Sequence, residues 1–191
     1  KFESPHCKRL RVLVFTSLFP NSVNPLVGTF VLERLRSLVK FVDASVIAPI
    51  PYFPTWIPAN GRWGNLARVP HVEDVEGFHT NHPRYLVFPK LGMATHGLSM
   101  FAGTLRQVCK RLSETDYDLI DAHYVYPDGF AAAMLTSVLK KPLVVSARGS
   151  DINLFPRFRA IRPLIRQVLQ RANGLIAVSQ DSSGKAWDLA L

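Results

Sequence analysis

Short apolar runs alternate with amphipathic segments along this chain, and this alternation constrains the fold more than any other feature. The run Arg9–Ser17 is almost continuously apolar and rich in β-branched residues, which is typical of a strand buried on both faces. Thr29–Phe41 follows with apolar residues at helical spacing, and Ala44–Ile50 is a second strand-like run. A strand, a helix and a strand in about 45 residues predict a right-handed crossover unit.

The second half of the chain repeats this order. Strands are predicted at Tyr117–Ala122, Pro142–Ala147 and Gly174–Ser179, and helices at Gly97–Leu112, Asp128–Leu139, Arg157–Ala172 (either bent or starting late at Pro163) and Asp181–Leu191. Between the halves, Pro51–Pro70 is predicted to be a long connection, and one or two short strands surround the turn Glu76-Gly77. The sequence therefore predicts a single α/β domain over residues 1–191, a Rossmann-like, doubly wound and mostly parallel sheet with helices on both faces.

Composition and charge limit the classes of protein. The chain has 191 residues, of which 48% are hydrophobic and 19% charged, and this excludes a disordered chain. No apolar run is long enough for a spanning helix. Lys and Arg number 23 against 14 Asp and Glu, a net charge of +9 that favours an anionic partner: nucleic acid, phosphate groups or an anionic membrane. Cys7 and Cys109 are interpreted as free thiols in a reducing compartment.

Ligands of open parallel sheets bind outside the carboxyl ends of the strands. Four segments with polar residues or glycine occupy such positions: Ser17–Thr29, Ala122–Gly129, Ser146–Asn153 and Ser179–Ser183. In the first of them Gly28 opens a helix, so that a ligand phosphate could approach free backbone N–H groups. The alternative is a plain capping loop, because the segment is neither a dinucleotide fingerprint nor a P-loop.

The second and third segments carry the candidate polar side chains. His123 ends a predicted strand and could bind a sugar hydroxyl or a phosphate, or could tie a loop to a carbonyl group. Asp121 is expected to pair or cap locally, because burying it alone would be costly. Arg148 offers a planar fork suited to phosphate, and Gly149 permits a tight turn. The alternative there is an Arg148–Asp151 ion pair that holds the loop.

Charged helix faces give weaker signals. The predicted helix at Thr29–Phe41 is expected to place Glu33, Arg34, Arg36 and Lys40 on the face opposite its apolar residues. The helix at Arg157–Ala172 carries five arginines, which form either an ordinary solvated face or a contact with anionic lipid headgroups. These are Arg157, Arg159, Arg162, Arg166 and Arg171. No nucleic-acid motif is present, and the histidines do not have metal-ligand spacing, so neither nucleic acid nor a metal is expected.

In order and spacing, these motifs resemble the N-terminal domain of a group 1 (family 4) glycosyltransferase of the GT-B type. The motifs are Gly28-Thr29-Phe30, Asp118-Leu119-Ile120-Asp121-Ala122-His123, Pro127-Asp128-Gly129, Pro142-Leu143-Val144-Val145, Arg148-Gly149-Ser150-Asp151 and Ala172-Asn173-Gly174-Leu175-Ile176-Ala177-Val178-Ser179. The resemblance implies one half of a GT-B fold, in which two Rossmann-like domains face each other across the active site. It covers nearly the whole chain.

The resemblance also implies a function. The full-length protein would transfer a sugar from a nucleotide sugar to a glycan or lipid-linked acceptor, with retention of configuration and without a cofactor or metal. Such an acceptor points to cell-envelope or exopolysaccharide synthesis at the cytoplasmic face of the membrane, with peripheral contact to anionic lipid. This domain would bind the acceptor, and a C-terminal domain absent from this chain would bind the nucleotide sugar. The fragment alone would then be inactive.

Site residues follow from the same resemblance. Arg148 and Asp151 are expected to be catalytic, and the substrate-binding residues are expected to be Asn24, Gly28, Thr29, His123, Gly149 and Ser150. The family often has His where this chain has Arg148, so Arg148 is expected to act instead on the charge of the leaving phosphate. Two alternatives remain at this stage: a stand-alone Rossmann-like module that binds a nucleotide or phosphate, and a basic domain that binds lipid or nucleic acid.

Overall fold

A computed structural model describes residues 9–52, 62–87, 93–178 and 180–190, without the side chains of residues 62, 63, 180–183 and 187. Its strands are β1 (Leu10–Phe15), β2 (Val42–Ile47), β3 (Ile50–Tyr52), β4 (Val72–Val75), β5 (Phe78–Asn81), β6 (Arg84–Leu86), β7 (Leu119–His123), β8 (Leu143–Ala147) and β9 (Gly174–Ala177). Its helices are α1 (Thr29–Leu38), α2 (Arg62–Arg68), α3 (His96–Glu114), α4 (Phe130–Leu139), α5 (Ser150–Asn153), α6 (Arg162–Arg171) and α7 (Gln180–Ala190).

Seven strands form one sheet in the order β4-β5-β2-β1-β7-β8-β9. Strand β1 lies near the centre and pairs in parallel with β2 and β7, and β8 and β9 extend the parallel sheet beyond β7. The edge strand β4 runs antiparallel to β5. Strands β3 and β6 form a separate parallel pair. The predicted Rossmann-like, mostly parallel sheet is therefore confirmed.

The sheet is covered on both faces, which explains why β1 is apolar at successive positions. Val12 and Val14 face helix α1, where they pack with Val31 and Leu35. Leu13 faces the opposite layer, which is formed by residues of α3, α4 and α6. Because a strand alternates its side chains between the two faces, a continuous apolar run is what two covered faces require.

The middle of the chain differs from its prediction. The run Ala44–Ile50 is divided, because β2 ends at Ile47 and Ile50 begins β3. The expected long connection Pro51–Pro70 contains the end of β3 and helix α2, two elements that the sequence pattern did not predict. Residues 53–61 of that connection, and Cys7 and Ser179 elsewhere, lie outside the described part of the chain. Cys109 is an exposed free thiol.

Two helices begin later than their amphipathic patterns indicate. The regular helix α4 begins at Phe130, and the preceding residues Val125–Gly129 form a distorted turn that contains a cis Tyr126–Pro127 peptide bond. Helix α6 begins at Arg162 with Pro163 in its first turn, which confirms the predicted late start. Both starts bring irregular backbone to the carboxyl edge of the sheet, where the candidate site lies.

Candidate active site at the carboxyl edge of the sheet

Three of the four predicted segments meet at one edge of the sheet, and Arg148 contacts the second of them and Phe30, the residue that directly follows the first. Its guanidinium Nη2 lies 2.7 Å from Nδ1 of His123, at the end of β7. Its Cζ lies 4.5 Å from the centre of the Phe30 ring, in the first turn of α1. Arg148 itself follows β8 directly. The side chains of the fourth segment, Ser179–Ser183, lie outside the described part of the chain.

The contact with Arg148 fixes the protonation of His123. An arginine can only donate, so Nδ1 of His123 accepts and the ring proton is placed on Nε2. Nε2 lies 3.5 Å from Asp121 Oδ2, at the outer limit of a hydrogen bond. His123 is fully buried, and this burial lowers the pKa of its ring more than Asp121 raises it. The ring is therefore neutral near pH 7.

Asp121 is paired with an arginine of helix α1. Arg34 Nη2 lies 3.1 Å from Asp121 Oδ2, and Arg34 Nη1 donates to Ser146 Oγ at 2.7 Å. Asp121 was expected to pair or cap locally; the pairing is confirmed, but the partner lies 87 positions away in the chain, so its expected local position is wrong. Arg34 was expected on the face of α1 opposite its apolar residues, and the structure shows that its guanidinium reaches over the sheet to β7 and β8.

This four-residue cluster carries one net positive charge by itself, against which the carboxylate of Asp151 acts on Arg148. It contains two guanidinium groups, one carboxylate and a neutral imidazole ring, from Arg34, Arg148, Asp121 and His123. Burial lowers the pKa of Arg148, and the nearby guanidinium of Arg34 adds to that effect. A partly buried guanidinium of this kind favours an anionic ligand such as a phosphate.

Asp151 fastens the loop after β8 through its backbone. The carboxylate is fully buried and accepts N–H groups from Val125 at 2.7 Å, Gly149 at 2.8 Å and Arg148 at 3.0 Å. Burial raises the pKa of Asp151, and these hydrogen bonds oppose the change. The Arg148 side chain points instead to His123, so the loop is held by backbone hydrogen bonds rather than by an Arg148–Asp151 ion pair. This geometry gives Asp151 a positioning role, and its part in catalysis stays a prediction.

The backbone conformation and the close packing around residue 28 both require glycine at this position. Its φ of +67° lies in the left-handed region, and a Cβ atom at this position would lie 2.0 Å from the Leu18 carbonyl oxygen. The space left by the missing side chain is therefore filled by the loop after β1. Neighbouring Thr29 is exposed at the start of α1, while the backbone N–H of Asn24 donates to Asn21 Oδ1 at 2.9 Å. Their contact with a ligand stays a prediction.

One further hydrogen bond joins the loop after β8 to the segment that follows β7. The hydroxyl oxygens of Ser150 and Tyr124 lie 2.5 Å apart, at the exposed rim of the site. Gly149, between Arg148 and Ser150, has a φ of +111°. This conformation suits glycine and allows the turn that directs Arg148 towards His123. Substrate binding by Gly149 and Ser150 stays a prediction.

Sequence reasoning missed the role of Asp128. This residue is buried, and its carboxylate accepts both the backbone N–H and the hydroxyl of Ser17, the latter at 3.1 Å. It thereby ties the loop after β1 to the turn after β7. Burial raises the pKa of Asp128 to about 7, against the opposing effect of the Ser17 hydrogen bonds. Its place beside Pro127 and Gly129 was visible in the sequence, but its partner was not.

The described residues also show what the chain does not offer in the way of metal ligands or membrane-crossing helices. No group of three or more His, Cys, Asp or Glu side chains among them is arranged to hold a metal ion. Within the same residues, no helix combines the length and the apolar character that crossing a bilayer requires.

The fold and the site together define a class: a Rossmann-like domain of the GT-B type, with two arginines, an aspartate and a histidine clustered at the carboxyl edge of its sheet. The family model described as Glycosyltransferase Family 4 matches residues 27–185. This chain belongs to that family. The resemblance stated from the motifs is therefore confirmed.

Comparison with individual proteins agrees with this assignment. The chain is 26% identical over 185 residues to TuaC of Bacillus subtilis (strain 168), named for a glycosyltransferase role in teichuronic acid biosynthesis. That match covers 95% of this chain and 47% of TuaC, so the chain spans about half the length of this curated relative.

Solved structures share the fold at low identity. A sucrose-phosphate synthase from Thermosynechococcus elongatus aligns with a TM-score of 0.58 and 11% identity, over 91% of this chain and 79% of that one. A UDP-GlcNAc 2-epimerase from Methanocaldococcus jannaschii aligns with a TM-score of 0.56 and 14% identity, over 96% of this chain and 43% of that one. At these identities the likeness concerns the fold alone.

Proposed function

We propose that this domain is the acceptor-side half of a retaining glycosyltransferase, which transfers a sugar from a nucleotide sugar to a glycan or lipid-linked acceptor. The observation that carries the proposal is the contact of Arg148 with His123 and Phe30, in a chain of glycosyltransferase family 4. Similarity to TuaC, which is named for teichuronic acid biosynthesis, supports an acceptor of the cell envelope. A location at the cytoplasmic face of the membrane is part of the same proposal.

Arg148 has the chemistry that such a transfer needs. When the bond between sugar and nucleoside diphosphate breaks, negative charge grows on the leaving phosphate, and a preorganised cation there stabilises the transition state. Helix α1 begins at Thr29, so the positive end of its dipole adds to the charge of Arg148 at the same edge. In this proposal Arg148 contacts the leaving phosphate.

His123 and Asp151 support Arg148 from two sides. His123 accepts a hydrogen bond from the guanidinium of Arg148, and Asp151 accepts one from the backbone N–H of Arg148. Both ring nitrogens of His123 face protein groups, so direct contact of Nδ1 with a sugar would require the bond to Arg148 to break. His123 therefore acts mainly by orienting Arg148.

The proposal assigns the donor to another part of the protein. Because the chain spans about half of TuaC, we propose that a C-terminal domain binds the nucleotide sugar and that this fragment is inactive alone. Neither a metal nor a cofactor is needed in this scheme, since the cationic side chains supply the charge that the diphosphate requires.

The test is a donor screen with the full-length protein. UDP-, GDP- and ADP-sugars are incubated with and without a lipid extract as acceptor, release of nucleoside diphosphate is measured, and proton NMR gives the anomeric configuration of the product. We expect one donor class to be consumed with retention, and no consumption by the 191-residue chain. Tight nucleotide binding by the isolated chain, with no donor consumed by the full-length protein, would instead support the stand-alone binding module.

A further inference from the structure

Helix α1 reaches the candidate site with two side chains that are one turn apart. Phe30 and Arg34 differ by four positions, so they lie on the same side of the helix. The ring of Phe30 contacts the guanidinium of Arg148, whose Cζ lies 4.5 Å from the ring centre. Arg34 extends over the sheet instead, to Asp121 Oδ2 at 3.1 Å and to Ser146 Oγ at 2.7 Å. One helix therefore reaches the site at two separate points.

Arg34 and His123 approach the same oxygen of Asp121. Nη2 of Arg34 lies 3.1 Å from Asp121 Oδ2, and Nε2 of His123 lies 3.5 Å from it. Among the described residues, the buried atoms Asp121 Oδ1 and His123 Nε2 have no hydrogen-bond partner at normal distance. The carboxylate therefore has unused acceptor capacity beside a ring N–H, and Arg34 binds the oxygen that His123 would otherwise take.

The balance between these neighbours decides how many protons the ring of His123 carries. Burial lowers the pKa of His123 most, Asp121 raises it, and both guanidinium groups of the cluster lower it further. Without Arg34, the same carboxylate would face the ring with one repelling cation fewer, so the pKa of His123 would rise. A doubly protonated ring has an N–H group on both nitrogens and cannot accept the hydrogen bond that Arg148 donates to Nδ1.

The two other buried carboxylates of the site are engaged elsewhere. Asp151 accepts backbone N–H groups of the loop after β8 and of Val125, and Asp128 accepts the N–H and the hydroxyl of Ser17. The charged side chains that act on the ring of His123 come from three elements. They are Asp121 of β7, Arg34 of α1 and Arg148 after β8.

We propose that Arg34 and Asp121 are positioning residues for Arg148. Together they keep His123 in the neutral form whose Nδ1 accepts a hydrogen bond from the Arg148 guanidinium. Arg34 neutralises the carboxylate, while Asp121 stays close enough to favour the ring proton on Nε2. Neither residue touches a substrate in this role. The inference rests on the proposed function, in which Arg148 contacts the leaving phosphate, and it names the side chains that determine where Arg148 lies.

The first experiment is a proton titration of His123 in the 191-residue chain. With isotope-labelled histidine, long-range proton–nitrogen correlation spectra show which ring nitrogens carry a proton, and the His123 signal is identified by its loss in His123→Gln. The variants are Arg34→Gln, which removes the cation, and Arg34→Lys, which keeps the cation without the planar fork. The control is Arg36→Gln, at an exposed arginine of the same helix. Circular dichroism confirms that each variant is folded.

We expect Nδ1 of His123 to be unprotonated at neutral pH in the parent and in Arg36→Gln. Arg34→Gln should take up the second proton at a higher pH than the parent, and Arg34→Lys should show a smaller shift in the same direction. Adding Asp121→Asn to Arg34→Gln removes the carboxylate that favours the charged ring, so the titration should return to that of the parent or below it. An unchanged titration in both Arg34 variants, or an equal shift in Arg36→Gln, would overturn the proposal. No sugar donor is present, so this result is independent of the proposed function.

The second experiment measures kcat/KM for sugar transfer against pH in the full-length protein. For Arg34→Gln it should lie within about threefold of the parent at about pH 8 and fall at least about tenfold at about pH 6, because a protonated His123 releases Arg148. The double variant with Asp121→Asn should regain most of the loss at the acidic pH. A loss in Arg34→Gln that is the same at both pH values would assign Arg34 a structural role alone and contradict the proposal.

Discussion

Arg34 and Asp121 form the pair on which the site rests. The side chain of Asp121 is 7% exposed and that of Arg34 is 25% exposed, so their attraction is only partly screened by water. Asp121 Oδ2 is shared between Arg34 and the Nε2 side of His123. A chain of contacts thus runs from Arg34 through Asp121 and His123 to Arg148.

Removing Arg34 should therefore cost much more stability than removing an exposed arginine of the same helix. Arg34→Ala leaves a buried carboxylate without its cation, and we expect a loss of about 2–3 kcal/mol. Arg36→Ala should cost much less, because its side chain is 45% exposed and its pairs with Glu33 and Glu76 are screened by water. Urea unfolding measures both. Adding Asp121→Asn to Arg34→Ala should recover at least half of the loss, and equal losses for the two arginines would contradict this account.

Asp128 should make folding stability depend on pH. Its pKa is raised from an ordinary 3.8 to about 7, so between these values the folded chain keeps a proton that the unfolded chain has lost. The stabilising contribution of Asp128 is therefore complete below about pH 4 and is lost as the pH rises through about 7. Asp128→Asn, which mimics the protonated form, should gain stability relative to the parent over this range, by an amount on the order of 2 kcal/mol.

The control for Asp128 is Asp43→Asn, on an exposed side chain of β2. Urea unfolding is measured at about pH 4.5 and at about pH 7.5, within and above the main titration range of Asp128. For each variant it gives the change in the free energy of unfolding between the two pH values. If the free energy of unfolding changes with pH by the same amount in Asp128→Asn and Asp43→Asn, the buried carboxylate is not the source of the pH dependence.

The residue scale also shows where sequence reasoning ended. That Asp121 must be paired followed from the cost of burying a lone carboxylate, and the structure confirms it. Its partner Arg34 lies 87 positions away, and the partner of Asp128, Ser17, lies 111 positions away. Helical spacing assigns a residue to a face of its own helix and says nothing of a long side chain that reaches another element. These long-range contacts can be identified only in the folded structure.

At the scale of elements, regular strands and helices were predictable because each has its own periodicity. Strand β1 and helices α1 and α3 agree with the predicted segments to within a few residues. Helix α2 and the β3–β6 pair were missed, because seven- and three-residue elements in a segment rich in proline and aromatic residues show no clear period. The carboxyl-end rule then located the site, since it needs only the order of the elements.

The loop before α1 provides a prediction about one glycine. A Cβ at Gly28 would meet the Leu18 carbonyl at 2.0 Å, whereas one at Gly77, where φ is +85°, would meet nothing within 4 Å. Gly77→Ala should therefore cost only the strain of its backbone, about 1 kcal/mol. Gly28→Ala adds a clash between backbone atoms and should cost at least about 2 kcal/mol more. Urea unfolding compares the two, and similar midpoints would show that the loop after β1 adapts freely.

The whole molecule explains why neither a motif nor the fold alone identifies a function. Rossmann-like domains serve many reactions, as the low-identity structural neighbours illustrate. What distinguishes this chain is its family and the cluster of Arg34, Asp121, His123 and Arg148 that the parallel strands and helix α1 bring together at one edge. The order of the motifs predicted both the family and the edge, whereas the donor and acceptor depend on loops for which one sequence gives no code.

The central claim is that Arg148 acts on the leaving phosphate, and one kinetic comparison tests it most directly. In the full-length protein, with the donor that the screen identifies, kcat/KM for sugar transfer is measured for the parent, Arg148→Ala and the exposed control Arg106→Ala. Loss of one preorganised transition-state contact should lower kcat/KM by about 100-fold or more in Arg148→Ala, while Arg106→Ala stays close to the parent. A value for Arg148→Ala equal to that of Arg106→Ala, in a protein shown to be folded, would contradict the claim and leave the Arg148 side chain with only its structural contacts to His123 and Phe30.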